Sequence, residues 1–391
     1  MKDKRWRMVV ALLVPVIGLA ACQSTSASPG NGSTTGNGSI TIRIGLSASF
    51  SGATAFYGQQ AKAGAEVAVG ELNAKGGKYK YQLVTADDQC TPDGGSSAFG
   101  NLLDVQQVDV ILGSPCSAAT LGGMTLLPAA KAPALTVSST SPAITQQAGI
   151  GGNKYMWRMN INDDVMATVF SKYIAAQGIK KIAIIAVNSD FGQGAVAAYK
   201  KTFAADAVTI TTTQFYTQGG GDFRTQLTNI GASGAQAMLI IGAYQDAAVM
   251  MRQFKELGLG IRVYARGDVV STGFQQAAGS PGLGNGIQEA DNWDSSYQAY
   301  PRFAKAFRQK FHSDPQSYAV QAWLGMQVIA QAVAAGGGGP AGIERGLAKV
   351  SWSSPIGPVK FDAHHQAHHD MFIMTFDHGM IKMVKRIHTA G

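Results

Sequence analysis

Hydrophobic and polar positions along the chain alternate in blocks: short apolar runs, each followed by a longer stretch of helical periodicity. TIRIGLS (41–47), YKYQLVTA (79–86), VDVILG (108–113) and PALTV (133–137) read as strands, with helices over 56–75, 92–106 and 118–130. The cycle restarts near 157–161. KIAIIAV (181–187), VTITTTQF (208–215), QAMLIIG (236–242) and IRVYA (261–265) read as strands, with helices over 164–177, 192–205, 223–230 and 247–257. Strands alternating with helices of this length predict βαβ units and parallel sheets. A run such as IAIIAV has no polar face, which suits a strand covered on both sides. The expected fold class is α/β, with two doubly wound parallel-sheet lobes. Three helices follow over 297–312, 316–335 and 340–350, and hairpin-like strands over 357–361, 371–376 and 380–386 close the chain. Open α/β sheets bind ligands beyond the carboxyl ends of their strands, at a topological switch point. Two lobes place such a site in the cleft between them, where hinge closure can enclose a ligand.

The first residues set the compartment. Lys2, Lys4, Arg5 and Arg7 precede the apolar run MVVALLVPVIGLAA (8–21), which is shorter than the ~20 residues a membrane-spanning helix needs. The run ends in Leu19-Ala20-Ala21-Cys22, which resembles a bacterial lipobox, with Cys22 the lipidated residue. QSTSASPGNGSTTGNGS then reads as a flexible tether. The expectation is an exported chain, lipid-anchored at the cell membrane and facing outward. With Cys22 assigned to lipid, Cys90 and Cys116 remain. Two leftover cysteines in an exported chain suggest one disulfide, the alternative being two buried free thiols.

Composition narrows the function class. Charged residues are 14% and apolar residues 46%, which excludes disorder. The formal charge is +8, but the first seven residues supply +3 of it. The remainder is spread thinly, so no nucleic-acid partner is expected. The chain contains no G-x-x-x-x-G-K-[ST] loop, no G-x-S-x-G elbow and no H-E-x-x-H. Neither an enzyme nor a cofactor is expected. His364, His365, His368, His369 and Asp370 have metal-like spacing, but lie between turn residues and a strand, so they read as an exposed hairpin tip rather than a metal site.

The strand ends carry the candidate chemistry. VDVILGSPCSAAT and PALTVSSTSPAIT each run from a strand through a polar turn into a helix. Free N–H groups and hydroxyls at two such turns could hold one carboxylate, unless Ser117 and Ser141 are only N-caps.

Several segments together resemble the type I periplasmic binding proteins of the leucine/isoleucine/valine class, the substrate-binding subunits of ABC importers. They are IRIGLSASFSGATAFYGQQAKAGAEVAVGELNAKGG, DDQCTPDGG, ILGSPCSAAT, PALTVSSTSP, SDFGQGAVAAYKK, MMRQFKELGL and IGPVKFDAHHQA. The resemblance covers about residues 41 to 388. It implies two lobes joined by a multi-strand hinge: 41–158 plus 294–355, and 159–293 plus 356–391. It implies a Cys90–Cys116 disulfide, a monomer, and ABC permease subunits as partners. It also implies a site. Ser117 and Thr140 would bind a ligand α-carboxylate, and Ser138 and Ser139 would receive the α-ammonium through main-chain groups. Asp268 would pair with that ammonium, while Tyr57, Phe191, Tyr244 and Trp293 would line the side-chain pocket. Arg266, beside Asp268, could instead favour an anionic ligand. The expected function is binding of a small polar solute, foremost a branched-chain amino acid. The alternatives are an aromatic acid, amide or urea, or a sensor role without transport.

Overall fold

The computed structural model describes residues 34–35 and 38–389, so the signal segment, Cys22 and most of the 23–40 tether lie outside the described residues. The described strands form three sheets. The first contains β1 (Thr34–Thr35), β2 (Ser39–Ala48), β3 (Tyr79–Asp87), β4 (Val110–Gly113), β5 (Ala134–Thr136) and β6 (Met156–Arg158). Its order is β3-β2-β4-β5-β6, all parallel, and β1 adds a short antiparallel pairing to the start of β2. The second contains β7 (Lys181–Val187), β8 (Thr209–Tyr216), β9 (Ala237–Ile241), β10 (Arg262–Arg266) and β11 (Gln288–Asp291). Its parallel order, β8-β7-β9-β10-β11, repeats that of the first sheet. The restart of the hydrophobic pattern near 157–161 is thus a restart of the topology.

Strand chemistry explains the layering. Ile182, Ile184 and Ala186 of β7 join one core cluster, with Phe170 and Tyr199, whereas Ala183, Ile185 and Val187 join another. The period-two alternation of a strand sends each set to an opposite face, and both faces are covered. On the first lobe the helix Ala55–Ala74 packs against the helix Ser317–Gly336 at backbone distance. A Cβ on Gly64 would lie 1.9 Å from the Ala319 carbonyl oxygen, so only glycine permits this approach.

Several expectations are corrected. The helix expected from 297 begins at Pro301. Tyr297 has φ +63°, in the left-handed region that helices exclude, and the Asp294 carboxylate holds the preceding turn by accepting the Ser296 and Ala299 N–H groups. The strand at 357–361 is not part of the second lobe's sheet. β12 (Ser351–Ser354), β13 (Gly357–Phe361) and β14 (Ala367–His368) form a separate antiparallel sheet. The segment beside it packs on the first lobe: the His365 ring stacks on Trp157 with centroids 3.5 Å apart, and Gln366 Oε1 accepts from Arg158 Nε at 2.7 Å. Only β15 (Met371–Asp377), antiparallel to β11, and β16 (Met380–Ile387), antiparallel to β15, extend the second sheet. After β11 the chain rejoins the second sheet only at Met371. The histidine run is likewise not an exposed tip: His369 is buried and His365 half-buried. Among the described residues no group of His, Cys, Asp or Glu is arranged to hold a metal ion.

Candidate ligand-binding cleft

The strand ends of both sheets converge on one cavity of about 480 Å³. From the first lobe it receives the segments following β2, β4 and β5. From the second it receives those following β7, β8, β9 and β10. This is the region beyond the carboxyl ends where doubly wound sheets bind ligands.

The first wall is built of hydroxyls. The disulfide between Cys90 and Cys116, with Cα atoms 5.3 Å apart, ties the loop after β3 to the turn after β4. Ser117 opens the following helix, and its Oγ accepts the Ser141 N–H at 3.3 Å. The Ser138 hydroxyl donates to Gln321 Oε1 at 2.5 Å. Ser139 is committed elsewhere: its Oγ donates to the Ser114 carbonyl at 2.7 Å and lies 2.8 Å from the Thr120 hydroxyl. Thr140 turns back toward the cavity, and its carbonyl accepts the Asp163 N–H at 2.9 Å.

The second wall is built of charge. After β10 the chain turns through Gly267, with φ +120°, where a Cβ would lie 2.4 Å from the Gly242 carbonyl oxygen. Asp268 follows with φ +71°, a left-handed conformation that costs about 1–3 kcal/mol in a non-glycine residue. The residue is 2% exposed, and neither carboxyl oxygen makes a hydrogen bond of ordinary geometry, although the Ser317 hydroxyl and N–H favour its charge. Burial pushes its pKa well above the usual carboxylate range, and Asp291 and Glu289 push the same way, against a pull from Ser317. Glu289 stands behind it, accepting from the Val269 and Val270 N–H groups at 3.0 and 2.5 Å, its pKa pushed up to about 8 by burial and by Asp291. Arg266 is also buried. It reaches Asp163 Oδ1 at 3.3 Å and Asp291 Oδ1 at 4.0 Å, beneath the Phe191 ring at 5.8 Å. Burial opposes its charge, and the carboxylates of Asp163 and Asp291 outweigh that effect. Asp163 itself is pushed up to about 6, burial outweighing the pull of Arg266.

Of the residues singled out in the sequence, Tyr57, Ser117, Ser138, Thr140, Phe191 and Asp268 line the cavity. Ser139, Tyr244 and Trp293 do not. Tyr244 is the first residue of the helix Tyr244–Glu256, and its ring packs edge-on to Phe56 at 5.3 Å. Trp293 is 1% exposed and packs on Tyr297, while its predecessors Asp291 and Asn292 line the cavity in its place. Reasoning from sequence missed Asn160, Gln218, Asp291 and Asn292, although each lies at or just after a strand end. It also missed Tyr318 and Gln321, which come from a helix far along the chain, with no local signal. Across the cleft Gln218 Nε2 donates to the Tyr57 hydroxyl at 2.9 Å.

Comparison with known proteins agrees with this geometry. Residues 41–380 match the periplasmic binding protein family. An amino acid binding protein of Pseudomonas aeruginosa is 30% identical over 322 residues, covering 80% of this chain and 83% of that protein. The fold matches the branched-chain amino acid transporter substrate binding protein LivJ of Streptococcus pneumoniae, solved in complex with isoleucine. The TM-score is 0.78 at 24% identity, covering 89% of this chain and 99% of that one. It also matches a solute binding protein of an ABC transporter from R. palustris, solved in complex with benzoate. There the TM-score is 0.81 at 21% identity, covering 90% of this chain and 98% of that one. With a family match spanning both sheets and a cleft at their joint carboxyl ends, the chain belongs to the periplasmic binding protein family.

Proposed function

We propose that this protein is the substrate-binding subunit of an ABC importer and closes its cleft on an α-amino acid, performing no chemistry of its own. Asp268 carries the reading. A buried carboxylate without partners is costly, and an ammonium beside it removes the cost on both sides. Ser117 and Thr140, on the opposite wall, supply hydroxyls and N–H groups for the ligand carboxylate. The Pseudomonas aeruginosa relative, named as an amino acid binding protein, supports the same class. Calorimetry with α-amino acids, their desamino analogues and benzoate tests it. Binding of desamino acids as tight as that of amino acids would refute it. The R. palustris neighbour favours a second reading, an aromatic acid paired with Arg266. That pairing would compete with Asp163 and Asp291, which already engage the guanidinium.

Replacing Ser117 and Thr140 together by Ala is expected to weaken binding of an α-amino acid by about 1–3 kcal/mol for each hydrogen bond lost to a charged group. The backbone N–H groups remain, so binding weakens without vanishing. An unchanged Kd would remove both hydroxyls from the site.

A lipid anchor would hold the protein near the membrane that carries a permease. The Leu19-Ala20-Ala21-Cys22 motif and the polar residues after it support a lipid anchor on Cys22. Cys22→Ser is expected to leave the chain unprocessed or released from the membrane fraction. A mature wild-type chain that starts elsewhere without acyl groups, by mass spectrometry, would contradict the anchor.

A further inference from the structure

A set of hydrogen bonds outside the cavity also joins the two lobes. Gln316 stands at the N-cap position of the helix Ser317–Gly336 on the first lobe, yet its side chain bonds nothing in that helix. Its N–H donates to Gln60 Oε1 at 3.1 Å, on the helix Ala55–Ala74, which fixes its backbone to the first lobe. Its side chain is spent on the second lobe instead. Oε1 accepts the Gly273 N–H at 3.2 Å, and Nε2 donates to Thr272 Oγ1 at 2.9 Å. Both partners open the short helix Thr272–Ala278, between β10 and β11, where the first N–H groups have no partner in their own helix. Tyr297 completes a ring. Its hydroxyl donates to the Pro315 carbonyl at 2.9 Å, so it accepts from the Thr272 hydroxyl, 3.3 Å away.

Gln316 is 5% exposed, so these bonds are shielded from water. Neither Thr272, Gly273 nor Gln316 lines the cavity, and a ligand held there is no part of the ring. The ring is nonetheless tied to the site. Ser317 and Tyr318, the next two residues, line the cavity. On the other lobe the Ser271 hydroxyl donates to the Asp268 carbonyl at 2.8 Å, so the bonds hold the turn carrying Asp268 against the first lobe.

We propose that Gln316 and Thr272 form a latch between the lobes that acts without ligand and keeps the closed cleft the major form before a ligand enters. Separating the lobes breaks both Gln316 side-chain bonds at once, so the latch biases a two-state hinge equilibrium. A ligand that prefers the closed form then loses less affinity to closure. Nothing in the latch depends on the ligand being an amino acid.

Small-angle X-ray scattering of the purified, ligand-free protein tests this by reading lobe separation directly. The wild type is expected to scatter as the closed form. Gln316→Met keeps the length of the side chain but neither accepts nor donates, and is expected to raise the open-to-closed ratio about tenfold. Thr272→Val should open the cleft as well, and the double variant should open it no further than the stronger single one, because the two side chains share a bond. A wild type that scatters with its lobes apart would overturn the latch, as would a Gln316→Met protein indistinguishable from wild type. Fully additive opening in the double variant would overturn the pairing of the two residues. Should Gln316→Met not fold, Thr272→Val decides alone. A closed wild type that binds no α-amino acid in calorimetry would overturn the amino-acid reading and leave the latch standing.

Discussion

Asp268→Asn is expected to abolish tight binding of an α-amino acid while making the ligand-free protein more stable. Truncating one partner of a buried charge pair costs about 2–5 kcal/mol, or roughly 30- to several-thousand-fold in Kd. A desamino analogue should lose far less. The stability gain follows from the sign of the shift. The folded-state pKa of Asp268 lies well above its unfolded value, so the folded protein holds this proton more tightly. Stability is then lost as pH rises from the ordinary carboxylate range through the folded pKa. Asparagine keeps the shape, tolerates the left-handed backbone and never ionises, so the advantage of the variant should grow with pH in denaturant titrations. The same shift makes binding pH-dependent. An ammonium requires the carboxylate, so capture expels the Asp268 proton, and affinity rises with pH until the ligand-free pKa is passed. Calorimetry in buffers of different ionisation enthalpy should register that proton in the wild type and not in the variant. If Asp268→Asn binds an α-amino acid with unchanged Kd, the ammonium does not sit there.

Arg266→Met should destabilise the fold by about 3–5 kcal/mol near pH 8, since removing one member of a buried ion group strands the others. Asp163 and Asp291, with side chains 1% and 5% exposed, would lose their ion-pair partner, and only the field of buried Arg158 would still favour the Asp163 carboxylate. Methionine fills much of the volume, so packing loss is the smaller part. The charge origin gives a sign. Without the guanidinium, the pKa values of both acids rise further above their unfolded values. The deficit against wild type is therefore largest at high pH and shrinks as pH falls toward the carboxylate range. Urea unfolding at pH 5 and pH 8 separates the causes: the same deficit at both pH values would assign the loss to packing.

Much of the architecture was legible from local chemistry. Period-two and uniformly apolar runs marked the strands. Glycines and polar turns marked their ends, and the repeated βαβ rhythm announced two sheets. Because ligands of such sheets sit at strand ends, the same pattern located the turns carrying Ser117, Ser138 and Thr140 at the cleft, and the family resemblance added Phe191. The Cys90–Cys116 disulfide was indicated by two cysteines left over in an exported chain, and by the family resemblance. What sequence could not decide is which of two neighbours faces the cavity. Ser139 and Thr140 are adjacent hydroxyls, yet the Ser114 carbonyl claims the first and leaves the second at the wall. Trp293 and Asn292 differ by one position, and the packing of Tyr297 turns the tryptophan inward. Tyr318 and Gln321 reach the site from a helix that joins the first lobe through the Gly64–Ala319 contact, a pairing of residues far apart in the chain. Local sequence fixes where strands end and what polarity waits there. The tertiary structure alone assigns partners to buried charges: Arg266 is matched by Asp163 and Asp291, and Asp268 has no ion-pair partner among the described residues, because a low-dielectric interior makes each pairing depend on distances that only packing sets.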